Sequence, residues 1–275
     1  MDSETLRKVQ FVQLEIAAEI KRICDKHNIN YFLDSGTLIG AVRHKGFIPW
    51  DDDMDIGMLR KDYDRFISIA RDELDEKYFL HNWDTDDSYP LPFSKIRKNG
   101  TVYQEATSED SYVHNGIFVD ILPYDEMPSD PAEQKKVKSD LFFWCRAFYC
   151  KDGLKPWKHH TRKLYRFLSM CRYMPFAAAS CFIKRDKIKA KCIEIMRRYE
   201  GQDTGFVYKQ WGDMAGYAFV PSKCFSGFEE TPFEDRSFKI PKDYDEILTL
   251  QYGDYMQLPP ESERENRHQV LKIEF

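Results

Sequence analysis

No C-x-x-C pair occurs in the 275 residues, and the seven cysteines are scattered and odd in number. That argues against a zinc ribbon or a disulfide framework and for reduced thiols in the cytoplasm. No apolar run approaches the length that spans a bilayer, and the opening MDSETLRKVQ is not a secretory signal. There is no Gly- or Ser-rich linker and no internal repeat. A basic excess is also lacking: the net charge is −5, so bulk nucleic-acid binding is not expected. What is present is an ordinary globular composition, 42% hydrophobic and 32% charged, with aromatics high at 15%. The length suits one large domain or a core with an added lobe.

The informative stretch is Leu33 to Met58, LDSGTLIGAVRHKGFIPWDDDMDIGM. Tyr31-Phe32-Leu33 leads into the small turn Asp34-Ser35-Gly36-Thr37, and Leu38 to Arg43 follows as a short helix. Free N–H groups at such a strand-to-helix turn suit a phosphate, which marks Ser35, Gly36 and Thr37. Four carboxylates then fall within five residues, Asp51, Asp52, Asp53 and Asp55. Residues two apart share a strand face. With Met54 to Met58 as strand, Asp53 and Asp55 project together and Asp51 joins them. Asp52 points the other way, and Met54 and Ile56 face the core. Three hard oxygen donors on one side suit Mg²⁺. A solvated acidic loop fits poorly between Ile48-Pro49-Trp50 and Ile56-Gly57-Met58. A calcium loop of the EF-hand type fails at Ile56, where Gly is needed, and at Asp62, where Glu is needed.

Three further features stand out. Phe93-Ser94-Lys95-Ile96-Arg97 alternates as a strand with Lys95 and Arg97 on one face, toward a phosphoryl group. A solvent-facing edge strand is the competing reading. Gly116 to Pro123 is a buried strand with one carboxylate, Asp120, which should meet a metal or a cation; the competing reading is a strand-end aspartate that turns toward solvent, since Pro123 follows closely. From Lys155 to Lys191 there are eleven Lys or Arg against one acid, Asp186, with aromatics interleaved. This is either a basic lobe for an anionic membrane or a phosphorylated carrier, or a solvated helical face.

The string from Gly36 to Gly57, G-T-L-I-G-A-V-R-H-K-G-F-I-P-W-D-D-D-M-D-I-G, resembles the signature of the LicD family. These are phosphocholine transferases with a nucleotidyltransferase fold, related to fukutin-type ribitol-phosphate transferases. Phe93 to Arg97 resembles the family's F-x-K-x-R segment. Phe233 to Pro241 resembles F-E-x-x-x-F-x-x-P, and Tyr252 to Pro260 resembles Y-G-D-Y-M-x-L-P-P. The likeness runs from Asp34 to about His268.

The resemblance implies an α/β nucleotidyltransferase-like core, with a small mixed sheet flanked by helices, plus a helical basic lobe. A single domain is expected over 1–275, with the core in about 1–130 and 200–275 and the lobe in about 131–199. Within the lobe, breaks are expected near Gly153-Leu154-Lys155-Pro156 and at Pro175. The implied donor is a CDP-linked alcohol, most simply CDP-choline. The implied acceptor is a sugar hydroxyl on a cell-surface glycan precursor, lipid-linked in some members, and the products are CMP and a phosphodiester. One or two Mg²⁺ ions, or Mn²⁺, would sit on Asp51, Asp53, Asp55 and Asp120. Asp53 or Asp120 would take the acceptor's proton, and Lys95 would serve the phosphoryl group. Arg43, Arg97, Arg267 and His268 would meet the nucleotide or its phosphates. Choline recognition needs aromatic faces; Trp50, Trp83, Tyr89 and Trp211 are candidates. Without such a cage, CDP-ribitol or CDP-glycerol becomes the better donor. A transferase that moves the nucleotide itself, and a non-catalytic sugar- or metal-binding protein, are the other classes. The expected location is the cytoplasm, with the lobe placing the protein at the inner membrane face.

Overall fold

The computed structural model describes all residues except 110–112, 152–153, 210–217 and 267, and all side chains among them but that of His159. The first helix, α1 (Ser3–His27), starts where the Asp2 side chain accepts from the Thr5 N–H. It stops where Asn28 turns left-handed. Its buried stripe includes Val9, Ile16, Ile20 and Ile23, the three-and-four spacing visible in the sequence.

Strand β1 is only Phe32–Leu33, shorter than the apolar run suggested. The next helix, α2 (Ser35–Ile39), begins at Ser35 and not at Leu38, because the Asp34 side chain caps it. It runs on through Gly40–His44 as a wider, π-type turn. Gly40 is required there: a Cβ would come within 2.5 Å of the Gly46 carbonyl as the loop crosses back. Strand β2 (Asp55–Leu59) and helix α3 (Arg60–Glu73) follow, then β3 (Tyr78–His81), β4 (Ser94–Lys98) and β5 (Val102–Glu105).

Strand β6 (Phe118–Met127) is the spine of the sheet. It pairs in parallel with β2 and antiparallel with β4, and its far half pairs with β7 (Phe206–Lys209). The order β1-β2-β6-β4-β3 is completed by β7 and β8 (Val220–Pro221) on the β6 side. Pro123 does not end β6. The Asp120 N–H points toward β2, so position 123 faces the other side. There it falls between Ile121, the last partner of β4, and Tyr124, the first partner of β7. No ladder hydrogen bond is lost at such a junction.

The chain between the sheet's two halves forms α4 (Pro131–Lys151), α5 (Lys163–Phe182) and α6 (Arg185–Met196). Val137, Leu141, Phe148, Ile188 and Ile195 pack a second core that includes Met127 and Tyr208 from the sheet. The break near 154–156 is present, since α4 ends at Lys151 and a short 3₁₀ turn covers Pro156–His159. The break expected at Pro175 is absent: Pro175 lies inside α5. Pro175 is exposed, so water can satisfy the carbonyl it frees. A hairpin, β9 (Phe228–Phe233) with β10 (Arg236–Pro241), and helix α7 (Tyr244–Tyr252) close the main core. The terminal strand β11 (Val270–Glu274) pairs with β5; neither strand was foreseen. No helix among the described residues is long and apolar enough to cross a membrane.

Candidate active site

Three strands meet at one level. Asp55 on β2 is the register partner of Asp120 on β6, and Asp120 is the register partner of Lys95 on β4. Residues in register share a sheet face, so two carboxylates and an amine emerge side by side. The Lys95 Nζ lies 2.6 Å from an Asp120 oxygen and 3.4 Å from the centre of the Phe118 ring. Strand β4 lies between β6 and β3, which excludes the edge-strand reading.

The acidic loop ahead of β2 is fastened from behind. Gln10 and Gln13 on α1 are buried, and their amides donate to the Asp51 and Asp52 carbonyls at 2.8 and 2.9 Å. The Thr37 hydroxyl accepts from the Asp55 N–H at 2.9 Å. Gly36 leaves room for the Asp51 carboxylate, which a Cβ would approach to 2.7 Å.

These groups line a cavity of about 310 Å³ between the sheet and the helical segment. Its polar end holds Ser35, Gly36, Asp51, Asp53, Asp55, Lys95, Asp120 and His268, all of them expected in the site. Asp52 does not line it and is fully buried, although its carboxylate stays close to those of Asp51 and Asp53 and is not on an opposite face. It accepts from the Tyr103 hydroxyl at 2.9 Å and lies 3.0 Å from His268 Nδ1. Burial works against the Asp52 charge, but the His268 contact holds its carboxyl below the usual range. Burial opposes the His268 charge too; Glu105 and Asp52 outweigh it and push the imidazole up to about 10.

Other expected residues lie elsewhere. Arg43 does not reach the cavity; its Nη1 donates to the Tyr255 carbonyl at 2.6 Å and pins the Tyr-Gly-Asp-Tyr segment. Arg97 shares the Lys95 face but sits deeper, buried against His81 Nδ1 at 2.8 Å and the Gly116 carbonyl at 2.8 Å. Thr37 is buried under the loop. Among the aromatics, Trp50 packs below Arg264, Trp83 packs on Phe148, and Tyr89 is buried against His81. None of the three lines the cavity. Arg267 and Trp211 lie outside the described residues.

Several lining residues were not singled out from sequence. Lys209, at the end of β7, is buried and reaches Asp34 Oδ2 at 3.1 Å and the Ser35 hydroxyl. Tyr124 donates to the other Asp34 oxygen at 2.8 Å. Ser35 itself has φ of 52°, an uncommon backbone for a non-glycine residue held here by these bonds. Glu105, Thr107 and Gln269 complete the polar rim. The apolar lining is Leu91, Phe93, Leu122, Tyr149, Leu154, Pro156 and Tyr173, with the centre of the Phe93 ring 5.5 Å from the Lys95 Nζ.

The donor chemistry fits a divalent cation. Each described cation at the polar end is already committed: Lys95 to Asp120, Lys209 to Asp34 and His268 to Asp52. Asp53 and Asp55 are left without an ion pair among the described residues. Burial, with Asp53 and Asp120 beside it, pushes the Asp55 carboxyl well up. Oxygens of Asp51, Asp52 and Asp53 come within 4.8 Å of one another. Asp55 and Asp120 face the same cavity without joining that tight group. Asp52 is held in place by Tyr103 and His268.

The fold class is that of a nucleotidyltransferase domain. A family described as "LicD/FKTN/FKRP, nucleotidyltransferase domain" matches residues 28–176. The lipopolysaccharide cholinephosphotransferase LicD of Haemophilus influenzae is 31% identical over 272 residues, 98% of this chain and 97% of that protein. The chain belongs to the LicD family. By class it is a transferase. Mouse ribitol 5-phosphate transferase FKRP is 26% identical over 114 residues, 40% of this chain but 20% of that protein. Human FKRP is 38% identical over 48 residues, 18% of this chain and 10% of that protein.

Proposed function

We propose that the protein transfers phosphocholine from CDP-choline to a sugar hydroxyl of a glycan, releasing CMP. The carrying observation is the mixed lining of one cavity: carboxylates and Lys95 together with the rings of Phe93, Tyr149 and Tyr173. A phosphoryl group and its leaving nucleotide suit the charged groups. A trimethylammonium group, which donates no strong hydrogen bond, suits aromatic and aliphatic walls. The near full-length likeness to a cholinephosphotransferase supports the same donor.

The acceptor oxygen attacks the phosphorus that bears choline. The bond from that phosphorus to the bridging oxygen breaks, and CMP leaves with the electron pair. Asp53 or Asp120 takes the acceptor's proton. Lys95, aimed at the same spot as Asp120, offsets charge on the phosphoryl oxygens. Asp51, Asp53, Asp55 and Asp120 would hold one or two Mg²⁺ or Mn²⁺ ions. When bound, the metal supplies Lewis-acid charge to the diphosphate. Gln269 Oε1 is buried and has no described partner, so it is available to accept from a substrate N–H or O–H.

CDP-ribitol or CDP-glycerol is the second reading, favoured by the partial likeness to the FKRP proteins. A polyol would leave hydroxyls facing Leu91, Leu154 and Pro156 without partners. The test is CMP release from a panel of CDP-choline, CDP-ribitol and CDP-glycerol with Mg²⁺ present. Turnover of CDP-choline at least tenfold above the polyol donors is expected. Preference for a polyol donor would overturn the choline reading.

A further inference from the structure

Helix α5 has two contrasting faces. The inner one carries Tyr173 and Ser180, which are buried, and Phe176, whose ring lies 5.8 Å from that of Phe142 and 5.7 Å from that of Phe143. The outer one carries Leu164, Phe167, Leu168, Met174 and Phe182, all exposed, with Phe182 at 91%. Their spacing follows the three-and-four rule along the whole helix, so they form one stripe about opposite to Tyr173. Apolar side chains usually show this spacing when they face a core, and here the stripe faces outward.

The charge pattern completes the picture. Lys163, Arg166, Arg172 and Lys184 are exposed and form no ion pair among the described residues. No Asp or Glu occurs between Lys155 and Arg185. Lys163 and Arg172 lie roughly 90° to either side of the stripe, while Arg166, seven residues before Tyr173, lies on the Tyr173 side. An apolar ridge flanked by unopposed cations matches an anionic lipid surface in sign. Helices that lie in the headgroup layer have this arrangement. A protein partner would have to offer both a groove and a set of carboxylates.

We infer that the outer face of α5 docks on anionic membrane, with Leu164, Phe167, Leu168, Met174 and Phe182 entering the acyl boundary. Tyr173, on the inner face of the same helix, lines the cavity. Docking therefore sets the cavity about one helix diameter, roughly 10 Å, from the lipid surface. The inference is independent of which alcohol phosphate the cavity transfers.

The experiment is flotation of the full chain with two kinds of vesicle: phosphatidylcholine alone, and equal parts of phosphatidylcholine and phosphatidylglycerol. Binding is expected to the second kind only, and should weaken as salt rises. Loss of each cation should lower binding about fivefold near such a surface. The double variant Lys163→Ala/Arg172→Ala should thus lose about 25-fold. Phe167→Ser/Leu168→Ser should lose about a hundredfold, from the apolar area no longer buried. All four side chains are exposed, so both variants should keep the wild-type melting curve. No binding to the anionic vesicles, or undiminished binding in both variants, would overturn the inference. So would a dimer that Phe167→Ser/Leu168→Ser dissociates while vesicle binding is absent throughout, which would assign the face to a second copy of the chain.

Discussion

Asp55 and Asp120 stand in register on the parallel strands β2 and β6, so two carboxylates are fixed on one sheet face before any ligand arrives. On the antiparallel side Lys95 stands in register with Asp120 and pairs with it at 2.6 Å. One carboxylate is thereby neutralised and the other is not. Asp53, one pleat ahead of Asp55, adds to the excess of negative charge. That excess suits the cation proposed for the site.

The carboxylates should be indispensable to activity and dispensable to folding. Asp53→Ala and Asp55→Ala are each expected to lower transfer by about a thousandfold or more. Removing one of several crowded carboxylates relieves repulsion, so the melting temperature should hold or rise. Calorimetric titration of Mg²⁺ should show weakened binding in both variants. Near-normal turnover in either would remove the proposed metal site.

Asp52 should behave differently. The alternation alone suggested a lesser role for it, and it does not line the cavity. It is nevertheless fully buried and bonded to Tyr103 and His268. Asp52→Asn should therefore cost about 1–3 kcal/mol of stability through the lost charge-assisted bonds. Thermal denaturation checks this, and a variant as stable as the parent would contradict the bonding described.

Lys95 has two roles that a double substitution separates. Lys95→Met leaves Asp120 buried without its partner and should cost about 3–5 kcal/mol. Adding Asp120→Asn should restore much of that stability but none of the activity. In a milder variant, Lys95→Arg, kcat should fall by more than KM rises if the contact strengthens in the transition state. A change in KM alone would make Lys95 a uniform binder.

Glu234 gives the fold a defined acid sensitivity. It pairs with Arg7 of α1 and accepts from the Phe47 N–H at 3.1 Å, tying the hairpin to both. The Arg7 hydrogen bond holds its carboxyl below the usual range. A carboxylate lowered in the folded state stabilises above its unfolded value of about 4.3. That contribution is lost as pH falls through the lower folded value. The acid limb of the melting-temperature profile should be shallower in Glu234→Gln than in the parent.

Much of this was readable from the chain. The acidic loop, β2, β4 and the first half of β6 announce themselves through period-two alternation and a charge inside an apolar run. Asp53, Asp55, Asp120 and Lys95 follow from them directly. The residues that escaped notice are brought in from a distance. Lys209 is 175 positions from Asp34, and Tyr149 and Tyr173 line the cavity because α4 and α5 pack over the sheet. Nothing local in their sequence marks them. Arg43 and Arg97 illustrate the reverse case: cations near a phosphate motif that the fold spends on backbone carbonyls. Pro175 sits in a helix because its face is open to water, and exposure of that kind is invisible to local pattern.

The most direct measurement follows the two phosphorus atoms of CDP-choline separately. A donor labelled in the choline-bearing phosphate is incubated with Mg²⁺ and a glycan acceptor, and the products are separated. The account predicts that the label moves to the acceptor, with one CMP released for each label transferred, and that Asp53→Ala and Asp55→Ala abolish both. Label appearing as free phosphocholine while the cytidylyl group joins the acceptor would show nucleotidyl transfer instead and would contradict the account.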